Sequence, residues 1–133
     1  MKKIEHIGIA VSDLNKANEL YAKILGVNPY KTENVETENV ITSFFKCGET
    51  KIELLQSTSK DSAISKFIQN RGEGLHHIAF QVEDIKTEIV RLKNLGFKII
   101  NDAPKKGADN KLICFIHPKD ANHVLIELCQ EIK

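Results

Sequence analysis

Only three of the 133 residues are cysteine, and Cys47, Cys114 and Cys129 form no CxxC pair. That odd, scattered count excludes a disulfide framework or a zinc knuckle as the basis of the fold. Cys114 and Cys129 fall in strand-like apolar runs, where cysteine behaves as a small buried hydrophobe. No apolar run approaches the ~20 residues that a spanning helix needs, so no membrane partner is expected. The opening Met-Lys-Lys-Ile-Glu-His-Ile-Gly holds no h-region for export, which points to a cytoplasmic protein. An excess of either charge is missing as well, with 19 Lys and Arg against 18 Asp and Glu. Nucleic acid is therefore not expected as a partner, since it would call for a basic patch or stripe. What remains is an ordinary globular balance, 41% apolar and 28% charged, in a chain sized for one domain or for two like halves.

The halves are visible. His6-Ile7-Gly8-Ile9-Ala10-Val11-Ser12-Asp13-Leu14 matches His77-Ile78-Ala79-Phe80-Gln81-Val82-Glu83-Asp84-Ile85 at an offset of 71. Leu25-Gly26-Val27 matches Leu95-Gly96-Phe97 at 70, and Ile52-Glu53-Leu54-Leu55-Gln56 matches Ile126-Glu127-Leu128-Cys129-Gln130 at 74. Three matches in one order at nearly one spacing define an internal repeat of the βαβββ kind. Residues 3–11 and 75–82 alternate and read as strands. Ser12 or Asp13, then Glu83 or Asp84, supply N-cap oxygens for the helices that follow. Apolar stripes are expected at Leu14, Ala17, Leu20, Tyr21 and Ile24, and at Ile85, Ile89, Leu92 and Leu95. Gly26 and Gly96 stand where left-handed caps are wanted. Further strands are expected near 39–46, 50–56, 97–101, 111–117 and 123–130, with a loop over 102–110. Module 1 then spans about 3–57, a linking helix about 60–71, and module 2 about 74–131, all within one domain, 1–133.

Side chains alternate across a strand, so residues two apart share a face. His6, Gly8 and Ala10 lie on one face, opposed to Ile7, Ile9 and Val11; His77, Ala79 and Gln81 repeat the pattern. Glu53 and Glu127 lie opposite Ile52 and Leu54, and Ile126 and Leu128. Each half thus offers one His and one Glu on the face away from its helix, beside small residues that leave room. If the two sheets join edge to edge and curl, the four meet in a cleft. Two imidazoles and two carboxylates suit one divalent ion per chain, such as Co, Mn, Ni, Zn or Fe, with two octahedral positions left open.

His-Ile-Gly-Ile-Ala-Val at 6–11, His-His-Ile-Ala-Phe at 76–80 and Val-Leu-Ile-Glu-Leu at 124–128 resemble the vicinal oxygen chelate superfamily. That superfamily includes glyoxalase I, methylmalonyl-CoA epimerase, extradiol dioxygenases and antibiotic-resistance proteins. Residues 50–55, 72–80, 115–120 and 124–130 most resemble the methylmalonyl-CoA epimerase group, nearly end to end and in order. The resemblance implies an α+β fold of two tandem βαβββ modules forming a curled mixed sheet around a metal cleft, helices outside. It implies His6, Glu53, His77 and Glu127 as metal ligands, cobalt as the favoured metal, no organic cofactor, an acyl-CoA substrate and a homodimer. The reaction it implies interconverts (2R)- and (2S)-methylmalonyl-CoA, with Glu127 also moving a proton. His76 points to the other face and is structural.

Three departures stand out. In some members a second glutamate occupies the strand at 39–46; Thr42 stands there instead, with Glu36 and Glu38 nearby, so the second acid–base group is unassigned. His123 replaces an expected glycine, and a glycine-rich turn reads Gly107-Ala108-Asp109-Asn110-Lys111. Lys105, Lys106, Lys111 and Lys119 are either CoA-phosphate contacts or solvated loop residues, and His117 is expected to orient the turn after its strand. The competing functions are a glyoxalase I type isomerase acting on a glutathione hemithioacetal, and a metal-free binding module of the same fold.

Overall fold

Alternating β-branched residues after Lys2 form strand β1 (Lys3–Ala10), and Asp13 starts helix α1 (Leu14–Leu25) by accepting a bond from Lys16 N–H at 3.1 Å. In the computed structural model, which describes residues 1–101 and 103–133, the chain continues as β2 (Lys31–Val35), β3 (Val40–Cys47) and β4 (Thr50–Ser57). Helix α2 (Ala63–Arg71) leads to β5 (Gly74–Gln81), α3 (Ile85–Asn94), β6 (Lys105–Lys106), β7 (Lys111–Ile116) and β8 (Leu125–Glu131). The class is α+β, and the element order runs βαβββ twice, as the repeat requires.

The chain divides into two compact units, His6–His76 and Met1–Glu5 with His77–Lys133. In the first the strand order is β2-β3-β4-β1. Strand β1 pairs parallel with β4, and the other two pairings are antiparallel. A parallel pair needs a long crossover, which α1 and the β2–β3 hairpin supply. Ile9, Ile41, Phe45, Ile52 and Leu54 on one sheet face meet Leu14, Ala17, Tyr21 and Leu25 of α1. In the second unit the order is β5-β8-β7-β6, with β5 and β8 parallel. There α3 packs through Ile85, Ile89 and Leu92 on Phe80, Cys114, Ile126 and Leu128. Its first segment is tied down by Lys2 N–H, which donates to Gln81 O at 2.8 Å, and by the Lys2–Glu83 ion pair.

Asp13 and Asp84, not Ser12 and Glu83, are the caps. Gly26 ends α1 at φ +74°, and Gly96 follows α3 at φ +94°. Several expectations need correction. Leu20, Ile24 and Leu95 are exposed, because the stripe through Leu14, Ala17 and Tyr21 continues to Leu25 and leaves Leu20 and Ile24 on the far side. The strand expected over 97–101 is a single bridge, Ile99 to Ile116. Strand β2 was not expected, and β6 lies inside the expected loop, of which Asp102 falls outside the described residues. Among the described residues no helix is long and apolar enough to cross a membrane.

Candidate active site

Helix packing commits one face of each sheet to hydrocarbon, and the His and Glu residues occupy the other. In the first unit Gly8 lies directly across from Glu53 in the parallel β1–β4 ladder. With no side chain at Gly8, the carboxylate reaches diagonally to His6, and Nδ1 stands 3.1 Å from Oε2. In the second unit Ala79 lies across from Glu127, and His77 Nε2 stands 3.3 Å from Oε1. All four residues are buried, none more than 6% exposed. On its other flank each glutamate faces a phenylalanine in the antiparallel ladder, Phe44 for Glu53 and Phe115 for Glu127. The His77 ring also stands edge-on to Phe115, with centroids 6.3 Å apart at 86°.

Buried carboxylates demand a cation or strong hydrogen-bond donors. Donor atoms bound at about 2.1 Å on adjacent corners of a first-row metal lie about 3.0 Å apart. The 3.1 and 3.3 Å separations suit either a direct His–Glu contact or two neighbouring ligands of a metal ion. The chain thus carries candidate metal-ligand groups, His77 and Glu127 among them.

The neighbouring titratable groups are placed for structure. His76 packs edge-on to Phe67, centroids 4.9 Å apart, and burial lowers its pKa from 6.5 to about 4. It is neutral, on the face opposite His77, as strand parity requires. Burial, followed by the charge of Glu127, pushes the Cys114 thiol up to about 12, which leaves no thiolate for nucleophilic chemistry. His117 Nδ1 accepts from Lys119 N–H at 3.1 Å and so shapes the turn after β7. Lys111 is buried and lies 3.7 Å from Asp109; of the four lysines weighed for CoA phosphates, it is not at the surface. His123 takes the left-handed geometry of the missing glycine, φ +67°, and Asp109 and Asn110 do likewise at +58° and +53°.

Glu36 and Glu38 sit in a short 3-10 turn after β2 with no buried residue. Thr42 is fully buried. Two carboxylates escaped the sequence reading. Glu5, beside His6, is only 1% exposed. Glu33 lies on β2 directly across from Thr42, and the signal that would have found it was the missed strand.

A repeated βαβββ unit that carries the same buried His–Glu pair twice is the signature of a class, and the comparisons name it. Residues 5–115 match the family model of the Glyoxalase/Bleomycin resistance protein/Dioxygenase superfamily, and the chain belongs to that superfamily. Within it the similar proteins include several methylmalonyl-CoA epimerases. The chain is 37% identical over 129 residues to mitochondrial methylmalonyl-CoA epimerase of Homo sapiens, covering 96% of this chain and 73% of that protein. It is 38% identical over 130 residues to ethylmalonyl-CoA/methylmalonyl-CoA epimerase of Cereibacter sphaeroides, covering 96% and 97%. A solved structure of a Streptomyces coelicolor methylmalonyl-CoA epimerase variant in complex with 2-nitronate-propionyl-CoA superposes with a TM-score of 0.95 at 34% identity, covering 100% of this chain and 99% of that one. Metal dependence is a property of the family.

Proposed function

We propose that this chain is a metal-dependent epimerase that interconverts (2R)- and (2S)-methylmalonyl-CoA by moving the proton alpha to the thioester. The observation that carries the reading is the buried His–Glu pair, repeated in one register on both parallel strand pairs. Near-full-length identity to epimerases, one of them solved with an acyl-CoA analogue, supports the substrate class. Residues 1–133 then form one domain of two tandem modules, about 3–57 and 74–131, linked by a helix at about 60–71. His6, Glu53, His77 and Glu127 would hold one divalent ion in the cleft of a curled sheet, with cobalt favoured over Mn, Ni, Zn or Fe. The active form is a homodimer in the cytoplasm.

The C2 proton lies between a thioester and a carboxylate and is weakly acidic. The ion, when bound, supplies positive charge that offsets the enolate charge as it develops. Glu127 takes the proton from one face of C2 or returns it there, and Phe115, across the ladder from Glu127 and edge-on to His77, packs beside both. Inverting C2 also needs a proton moved on the opposite face, and so a second group.

The test is NMR in deuterated water with metal-loaded protein, each epimer of methylmalonyl-CoA and a chelated control. Metal-dependent deuterium entry at C2 together with epimer interconversion is expected. Bound metal without exchange would overturn the substrate assignment in favour of a glutathione hemithioacetal. Neither metal nor exchange would leave the binding module.

A further inference from the structure

Beyond Glu53, the same sheet face continues into a row that its repeat does not copy. Glu53 faces Phe44 across the β3–β4 ladder, and one alternation further on Leu55 faces Thr42. Side chains two apart on a strand, and direct cross-strand neighbours, share a face. Thr42 therefore lies on the face of Glu53. It is fully buried, and its hydroxyl has no hydrogen-bond partner. Buried hydroxyls are nearly always bonded, and the protein supplies no partner for this one. Across the β2–β3 ladder from Thr42 stands Glu33. Glu33 lies 3.3 Å from Lys31 Nζ, which sits 4.9 Å from the centroid of the Phe44 ring. Those contacts hold the Glu33 carboxylate on this face, and its side chain keeps 33% exposure, enough to exchange protons with solvent.

The second module places Ile113 opposite Cys129, where the first has Thr42 opposite Leu55, and Lys105 opposite Ile113. Ile113, Cys129 and Ala79 pack as a buried apolar cluster against Phe115. The frame accepts hydrocarbon at the Thr42 position in the second module, so packing does not require a hydroxyl there, and at the Glu33 position the second module carries Lys105, a charge of the opposite sign.

We infer that Thr42 and Glu33 form the second proton station of the epimerisation, with Thr42 positioning a water that Glu33 charges and discharges. The inference rests on the proposed function. In one direction the water accepts the C2 proton and passes one of its own to the ionised Glu33, while the C–H electron pair stays on the substrate as the enolate. Protonation of the opposite face is the task of the first group of the proposed function. In the reverse direction Glu33 returns its proton through the same water, and exchange with solvent resets it.

The experiment follows deuterium entry at C2 from each epimer separately, with metal-loaded full-length protein. Glu33→Gln should slow exchange of one epimer and overall interconversion by about 100-fold, and leave exchange of the other epimer within about threefold of wild type. Thr42→Val should show the same one-sided loss, with Thr42→Ser restoring it. Thermal melts check the fold, and Glu33, which is partly exposed, carries the test if Thr42→Val fails to fold. Equal exchange of both epimers in Glu33→Gln, or equal loss of both, overturns the inference. Wild-type protein that exchanges neither epimer overturns the epimerase reading, and this assignment with it.

Discussion

In the first module Leu14 N–H donates to Gln56 Oε1 at 2.7 Å; in the second, Ile85 N–H donates to Gln130 Oε1 at 2.8 Å. Val11 N–H donates to Leu55 O and Val82 N–H to Cys129 O, both at 2.9 Å. Copying therefore reaches single hydrogen bonds wherever a strand must hand over to a helix. It fails at the sheet edge, where β2 has five residues and β6 two, and in the row where Thr42 answers Ile113. Backbone donors at a helix start have few alternative partners, so those positions are constrained in both halves. A side chain on the sheet face away from the helices has no such tie and is freer to diverge between the modules.

The largest effect should come from breaking the pairs. His6→Ala and Glu127→Ala are each expected to take bound metal from about one ion per chain to none, and activity with it, read by elemental analysis. His76→Ala should retain the metal. If His76→Ala loses metal as His6→Ala does, the parity assignment fails.

Those pairs were legible in the sequence because a strand's alternation and an internal repeat each constrain the same residues. His77 was separable from His76 only because His6 is its counterpart. Glu33 was not legible, since Lys-Thr-Glu-Asn-Val has no apolar alternation and forms an edge strand of mostly polar residues. Leu20 and Ile24 misled for a different reason: α1 carries apolar residues on more than one face, and only packing shows which face is covered. Phe97 and Ile99 are apolar to pack under α3, not to build a ladder, so strand-like composition there yields a single bridge.

The next effect concerns the two adjacent histidines and pH. His76 has a folded-state pKa of about 4 against the ordinary 6.5, so between those values the unfolded chain binds the extra proton. Stability is then fully present above pH 6.5 and falls as the pH drops towards 4, by up to about 3 kcal/mol. His76→Phe, which keeps a ring against Phe67, should remove that slope in urea melts run at several pH values. An unchanged slope would mean that His76 takes up its proton equally in the folded and the unfolded chain.

A smaller effect tests the copied handover. Gln56→Ala and Gln130→Ala each leave a helix N–H without its acceptor, and each should cost about 1 kcal/mol in chemical denaturation. Unequal losses would show that one module carries more of the stability than the other.

The smallest effect lies in the hairpin turns. In the first module β3 and β4 join through Gly48 at φ +65°, and in the second the approach to β8 runs through Asn122 and His123 at +56° and +67°. A residue with a Cβ pays about 1–2 kcal/mol in that region, while glycine loses about 0.4–1 kcal/mol of chain entropy on folding. His123 is exposed, and its N–H bond to Pro118 O at 2.9 Å belongs to the backbone, so glycine would keep it. His123→Gly should therefore stabilise the fold by about 0.5 kcal/mol, a rise of a few degrees in Tm at most. Gly48→His should shift Tm the other way by more, because it adds the Cβ penalty and removes none. A drop in Tm for His123→Gly would mean that the imidazole makes a contact worth more than the strain it carries, and that the second turn has diverged for a reason other than tolerance.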